Sequence, residues 1–417
     1  MQRARRVVGL ALVFSRQVLV AHLSRYNFCM SNKKDWKTKL IHSDAQVPEG
    51  FRSLATPVYR ASTVLFPRAA VASDHWNQHE IGYTYGLYGT PTTLELAAKV
   101  CELEKGFRTI ITPGGQGAIS FIHLALLKAG DHVLLPESIY GPNRMFSNHV
   151  LRRFGVEVSY YPPGAGAGIG AEFKPNTRLV WVESPGSITM EVQDVPAIVE
   201  TAHRQGAMVV MDNTWAAGVY FDAFAHGVDV TMQALTKYVG GHSHLLLGSV
   251  TVRDPKIYER LGETQQVLGC GASPDDCSLA LRGMKTMAVR IKAVEQSALE
   301  LAQWLSGRPE VELVLHPALP SCPGHEFWKR DFTGATGLFS IVLQKRYSKE
   351  QVLSFMDTLK LFQIGYSWGG VSSLVMTYDM NSPKRPAYEH RLVRLYTGLE
   401  LIDDLKADVE QALATLQ

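Results

Sequence analysis

No run of apolar residues in this chain approaches the roughly 20 that a membrane-spanning helix needs, although 46% of its 417 residues are hydrophobic. Its five cysteines, Cys29, Cys101, Cys270, Cys277 and Cys322, show neither the paired spacing of a zinc site nor an even disulfide framework. Reduced thiols and a cytoplasmic setting are therefore expected. His242 and His244, in Gly-Gly-His-Ser-His, stand without further ligands at metal-site spacing, so no metal is expected. Charge of one sign is also lacking. The formal net charge is +3, but the first 29 residues hold five arginines and no acid, so +3 minus five leaves −2 for the remainder. That balance excludes the basic surface of a nucleic-acid binder.

What is present is a chain too long for one core, and it divides by pattern. Residues 1–36 read as an over-extended start or a disordered leader, with an organelle address as the alternative; Met30 opens a second plausible start. Residues 37–89 are irregular. Thr56 to Phe66 is strand-like, and the glycine and tyrosine loop Ile81 to Gly89 follows, so this segment buries little alone and reads as an arm packing on something else. From 90 to 283, helix-like runs (Leu94 to Glu104, Met145 to Phe154, Pro196 to Arg204) alternate with short apolar strands (His132 to Leu135, Val156 to Tyr160, Leu179 to Glu183, Met208 to Asp212). Such alternation predicts an α/β domain with a mostly parallel sheet. The glycine-rich tract from Gly164 to Ala171 reads as a flexible surface connection. Residues 284–417, with a long helix-like run, two short strands and an amphipathic close, predict a smaller α+β domain.

The chemistry concentrates on one lysine. Asp212 ends an apolar strand, and Lys237 follows the next strand-like run, where open α/β sheets place their ligands. Upstream, Pro113-Gly114-Gly115-Gln116-Gly117 opens into a helical pattern, so the N–H groups of a helix start would face an anion. A lysine to hold an aldehyde, a carboxylate to keep a pyridine nitrogen protonated and a glycine-lined phosphate cradle are what pyridoxal phosphate requires. Thr236 offers a hydroxyl to the phosphate. Each feature alone is as readily a surface lysine, a capping aspartate or a plain turn, and only their combination in this order is informative.

Four stretches carry a resemblance: Met211-Asp-Asn-Thr-Trp-Ala216, Thr236-Lys-Tyr238, Glu183-Ser-Pro-Gly-Ser-Ile-Thr-Met190 and Tyr366-Ser-Trp-Gly-Gly370. They resemble the cystathionine β-lyase branch of the cysteine and methionine metabolism PLP enzymes, from about Lys39 to near the C-terminus. The resemblance implies an aminotransferase-like large domain, an N-terminal arm reaching a neighbouring subunit, and a homo-oligomer built as a dimer of dimers. It also implies that the arm's Tyr85 touches the neighbour's cofactor phosphate, that Tyr140 stacks on the pyridine ring, and that Arg394 holds the substrate carboxylate with Ser367 and Trp368 on the same wall. The activity implied is β-elimination on L-cystathionine, a step toward methionine, with Lys237 removing the Cα proton and either Lys237 or Tyr140 protonating the departing sulfur.

The alternatives are γ-acting relatives (γ-synthase, γ-lyase or sulfhydrylase), which usually carry an asparagine soon after the proline matching Pro185, and a non-catalytic PLP-binding regulatory protein. The chain departs from the family at two phosphate positions: Leu87 stands where relatives have an arginine, and Ala234 where many have a serine. A looser hold on the cofactor is the expected consequence, unless another cation such as Arg60 substitutes.

Overall fold

The computed structural model describes residues 35–42, 53–378 and 388–416. The expected leader up to residue 34, Cys29 and residues 43–52 of the expected arm lie outside the described residues.

The large sheet is built from β1 (Arg108–Thr112), β2 (His132–Pro136), β3 (Glu157–Tyr161), β4 (Thr177–Glu183), β5 (Met208–Asp212), β6 (Val230–Gln233) and β7 (Gly248–Val252). Their order is β1-β7-β6-β5-β4-β2-β3. Neighbours from β6 to β3 are parallel, whereas β7 runs antiparallel to both β1 and β6. Parallel neighbours need crossovers, and helices supply them. Strand residues alternate between two cores, as the period of two requires. Leu179, Trp181 and Val210 join helix α2 (Gly115–Leu126) on one face, while Val180, Val182, Val209 and Met211 join helix α1 (Pro91–Glu104) on the other. Helix α1 is set by Thr90, whose hydroxyl accepts the Thr93 N–H, and by Pro91 in the first turn.

A second sheet, β10 (Gln363–Ile364), β11 (Leu374–Thr377), β12 (Leu392–Tyr396), β9 (Leu338–Leu343) and β8 (Val311–Leu315) in spatial order, is antiparallel except at its β10 edge. It matches the expected α+β character of the C-terminal part. A single helix from Pro274 to Ser306 runs unbroken through position 284. Its first half, with Cys277, Met284 and Ile291, lies in the same core as Val180 and Leu338. Its second half, with Leu301 and Leu305, packs on the far face of the small sheet beside Phe339 and Leu395.

Three local expectations are corrected. The run Thr56 to Phe66 forms no strand; one bridge, Thr63 to Tyr85, is its only ladder contact among the described residues. The glycine-rich tract is not a loose surface connection: residues Pro163–Glu172 wind as 3-10 turns against the helix Val195–Arg204, with Ile169 fully buried. Small residues there permit close helix approach, because a Cβ at Gly170 would already touch Thr201 and Gln205. The helical run through Phe154 is not uniform either. It is a short α-helix α3 (Gly141–Phe146), then a π-turn over Ser147–Leu151, then a 3-10 turn.

Candidate active site

Three parallel strands end side by side at the site, with Glu183 of β4 opposite Asp212 of β5 and Asp212 opposite Met232 of β6. The chain continues from β6 through a tight turn that presents Lys237, whose carbonyl accepts the Gly241 N–H at 2.7 Å. Lys237 donates its ammonium hydrogen to the Ser367 hydroxyl and lies 5.0 Å from the Trp368 ring centre. Ser367 holds a left-handed backbone, φ 80°, unusual for a residue with a Cβ and of a kind that clusters at functional sites. Next to it, Gly369 at φ 86° brings its backbone against Lys237, where a Cβ would come within 3.0 Å of the lysine main chain. Burial, followed by the charge of Arg394, brings the Lys237 amine down to about 8, against a smaller upward pull from Asp212.

Asp212 accepts the N–H and the hydroxyl of Thr214 on Oδ1, at 3.0 and 2.5 Å. That leaves Oδ2 without a hydrogen-bond partner among the described residues. Burial raises the carboxyl to about 6, opposed by the Thr214 bonds and the positive charge of Lys237. Tyr140 caps the start of α3 and gives its backbone N–H to Glu183 Oε2 at 2.7 Å. Its phenol is raised by burial and by the negative charges of Asp212 and Glu183.

The glycine turn after β1 enters α2 with Gly114 at φ 91°, a backbone few side chains would tolerate. Gly115 lies so close to Ala234 that a Cβ would meet its methyl at 2.6 Å. The helix start is thereby pressed against the segment leading to Lys237. Gln116 lies in its first turn with Oε1 buried and unpartnered, and its Nε2 is 3.5 Å from the Pro142 carbonyl. Glycine backbone at a helix start, a nearby lysine and a half-buried carboxylate with one oxygen unpartnered among the described residues form a set that fits a phosphorylated pyridine aldehyde.

Arg394 projects from β12 opposite Ser340 and Met376. It is 7% exposed, gives one hydrogen bond to the Ser187 carbonyl at 3.3 Å, and has no carboxylate partner among the described residues. Six predicted residues, Lys237, Asp212, Tyr140, Ser367, Trp368 and Arg394, thus face one region together with Gly115 and Gln116. Thr236 is placed beside them, but its hydroxyl already donates to the Leu247 carbonyl and accepts the Leu247 N–H. Tyr85 is not brought in. Its contacts are with Thr63, Gln78 and Tyr88 of its own segment, and it is 42% exposed. Leu87 turns inward toward Gly271 and the second core, and Arg60 is committed to Asp275, 2.8 Å from its Nε. Glu183, Ser187, Thr214 and Tyr378 were not singled out as site residues from sequence. The first three lie within the quoted motifs, which was the available signal, whereas Tyr378 had none.

The sequence pattern of the Cys/Met metabolism PLP-dependent enzyme family matches residues 37–414. The chain belongs to that family. Cystathionine beta-lyase MetC of Escherichia coli is 38% identical, with 93% of this chain and all of the relative covered. The L-alanine/L-glutamate racemase of Wolbachia pipientis wMel is 37% identical over 87% of this chain and 93% of that protein. Among solved structures, metB from Corynebacterium glutamicum superposes with a TM-score of 0.83 at 30% identity, covering 93% of this chain and 99% of that one. As a Cys/Met metabolism PLP-dependent enzyme, the protein uses pyridoxal phosphate.

Proposed function

We propose that the protein cleaves L-cystathionine by β-elimination, giving L-homocysteine, pyruvate and ammonia with uptake of one water. The observation that carries this reading is the pairing of a lysine amine brought down to about 8 with a buried guanidinium that has no carboxylate partner among the described residues. Arg394 holds the amino-acid carboxylate in a plane, and a bidentate pair is the geometry guanidinium favours. Lys237 would hold the cofactor aldehyde, Asp212 would keep the pyridine nitrogen protonated, Tyr140 would cover the ring, and Gly115, Gln116 and Thr236 would take the phosphate. Thr236 would do so by giving up its hydrogen bond to Leu247.

Pyridoxal phosphate, when bound, supplies an electrophile for the substrate amine and an electron sink for the Cα electrons. Lys237 Nζ, free once substrate has displaced it, takes the Cα proton; a base near neutral pH is suited to that transfer. The sulfur then leaves with a proton, for which Lys237 Nζ and Tyr140 Oη are the two candidate donors. Ser367 accepts from Lys237 and keeps the amine aimed at the site between these steps.

The active unit in this reading is a dimer, arranged in pairs, because the arm exposes Leu54 and Leu65 and leaves Tyr85 outside its own site; a cytoplasmic setting rests on the lack of a disulfide framework among the five cysteines. Purified protein given L-cystathionine tests the reading. Pyruvate with homocysteine supports β-cleavage, 2-oxobutyrate with cysteine would make it a γ-lyase, and loss of turnover in Lys237→Ala is expected. A second activity is favoured by the Wolbachia relative and by two proton-carrying groups, Lys237 and Tyr140, at one site: interconversion of L- and D-alanine. Chiral analysis of alanine after incubation checks it.

A further inference from the structure

The guanidinium carbon of Arg394 lies 4.9 Å from the centre of the Tyr378 ring. This contact follows from register. Met376 of β11 is opposite Arg394, and Tyr378, two residues on, lies on the same face as its diagonal neighbour. The Tyr378 N–H reaches the Leu392 carbonyl at 3.4 Å, which continues the pairing one step beyond the strand. On its outer side the Tyr378 ring meets Tyr366 edge to face, with centres 6.4 Å apart and planes at 64°. Tyr366 is 71% exposed, so the three side chains run from the buried guanidinium out to solvent.

Among the described residues the Arg394 guanidinium gives one hydrogen bond, to the Ser187 carbonyl, and one such bond leaves rotation about it. The Tyr378 ring, 4.9 Å from the guanidinium carbon, limits that freedom by cation–π attraction and makes no demand on the N–H groups with which a carboxylate would pair. We propose that Tyr378 is a positioning residue that holds Arg394 flat for the substrate carboxylate. This rests on the assignment of Arg394 to that carboxylate. The ring does the holding, and the hydroxyl is not required.

Glycine and glycinamide, which share an amine and differ in the carboxylate, report on it. Both are titrated into holoenzyme, and binding is read from the cofactor absorbance rather than from turnover. The wild type prefers glycine, Y378F keeps that preference, and Y378L or Y378Q loses about tenfold of it, the scale of a desolvated cation–π contact. Either ring-less variant that folds, shown by an unchanged circular dichroism spectrum, serves the test. Equal weakening of both ligands, an unchanged preference in a ring-less variant, or a lost preference in Y378F overturns the role of Tyr378. Absence of any preference in the wild type overturns the Arg394 assignment itself, and the proposal with it.

Discussion

The carboxylate of Glu183 accepts the backbone N–H of Tyr140 at 2.7 Å. Its other oxygen takes the Ser187 hydroxyl, and the Ser187 carbonyl takes Arg394. One acid therefore stands between the ring-covering tyrosine and the carboxylate-binding arginine. Hydrogen bonds to a charged group contribute about 1.5–3 kcal/mol. E183Q should lower kcat/KM for cystathionine by about tenfold or more. Glu183 is also one of the charges that raise the Tyr140 phenol, so its removal lets that phenol ionise at lower pH. The basic limb of kcat/KM against pH should move downward in E183Q, and an unmoved limb would separate Tyr140 from the rate.

Glu104, at the end of α1, is buried beneath the sheet and receives Gln233 and Asn213. Burial raises its carboxyl to about 7, with those hydrogen bonds opposing. The folded state thus binds a proton that the unfolded chain releases near its ordinary pKa of 4.5. The associated stability is complete below pH 4.5 and is lost as pH rises toward 7, by an amount of order 1–3 kcal/mol. E104Q, similar in shape and without the charge, should flatten the fall in unfolding free energy between pH 5 and 7. Denaturant titrations at several pH values measure it.

Ser367 at φ 80° spends backbone strain to place a hydroxyl on Lys237. S367G should relax the strain and remove the anchor. The expected result is a protein at least as stable thermally but slower in kcat, with KM changed less. A drop in melting temperature together with unchanged kcat would contradict it.

Among the described residues the polar and ring contacts of Tyr85 lie within its own segment, and its proposed role lies at a neighbour's phosphate. Mixed Tyr85→Ala and Lys237→Ala subunits should regain part of the activity that each lacks alone. Native mass spectrometry confirms that hybrids form. Hybrids without activity would end the shared-site idea.

Much of the site was legible because its chemistry lies in short contiguous motifs at strand ends. Asp212 ends β5, Lys237 follows β6, and glycine-rich backbone at Gly114 and Gly115 announces a helix start. β1 and β7 were harder to read. Arg108–Thr112 does not alternate in polarity, and Gly248–Val252 alternates over Ser-Val-Thr-Val although every one of its residues is buried, so neither sequence announces how its strand sits in the sheet. Tyr378 escaped because its role depends on a diagonal across two strands, a relation that no local pattern encodes. Leu87 is read against relatives as a missing phosphate cation, and its side chain packs toward Gly271 of the same chain, a contact that sequence does not display.

The helix from Pro274 to Ser306 belongs to two cores at once, and the core around its first half contains Val180 and Met211 of the large sheet together with Leu338 and Val342 of the small one. A chain cut near 284 would leave each fragment with half of that interior facing water. The two sheets should therefore melt as one cooperative unit rather than as separable pieces, even though each has its own hydrogen-bonded ladder.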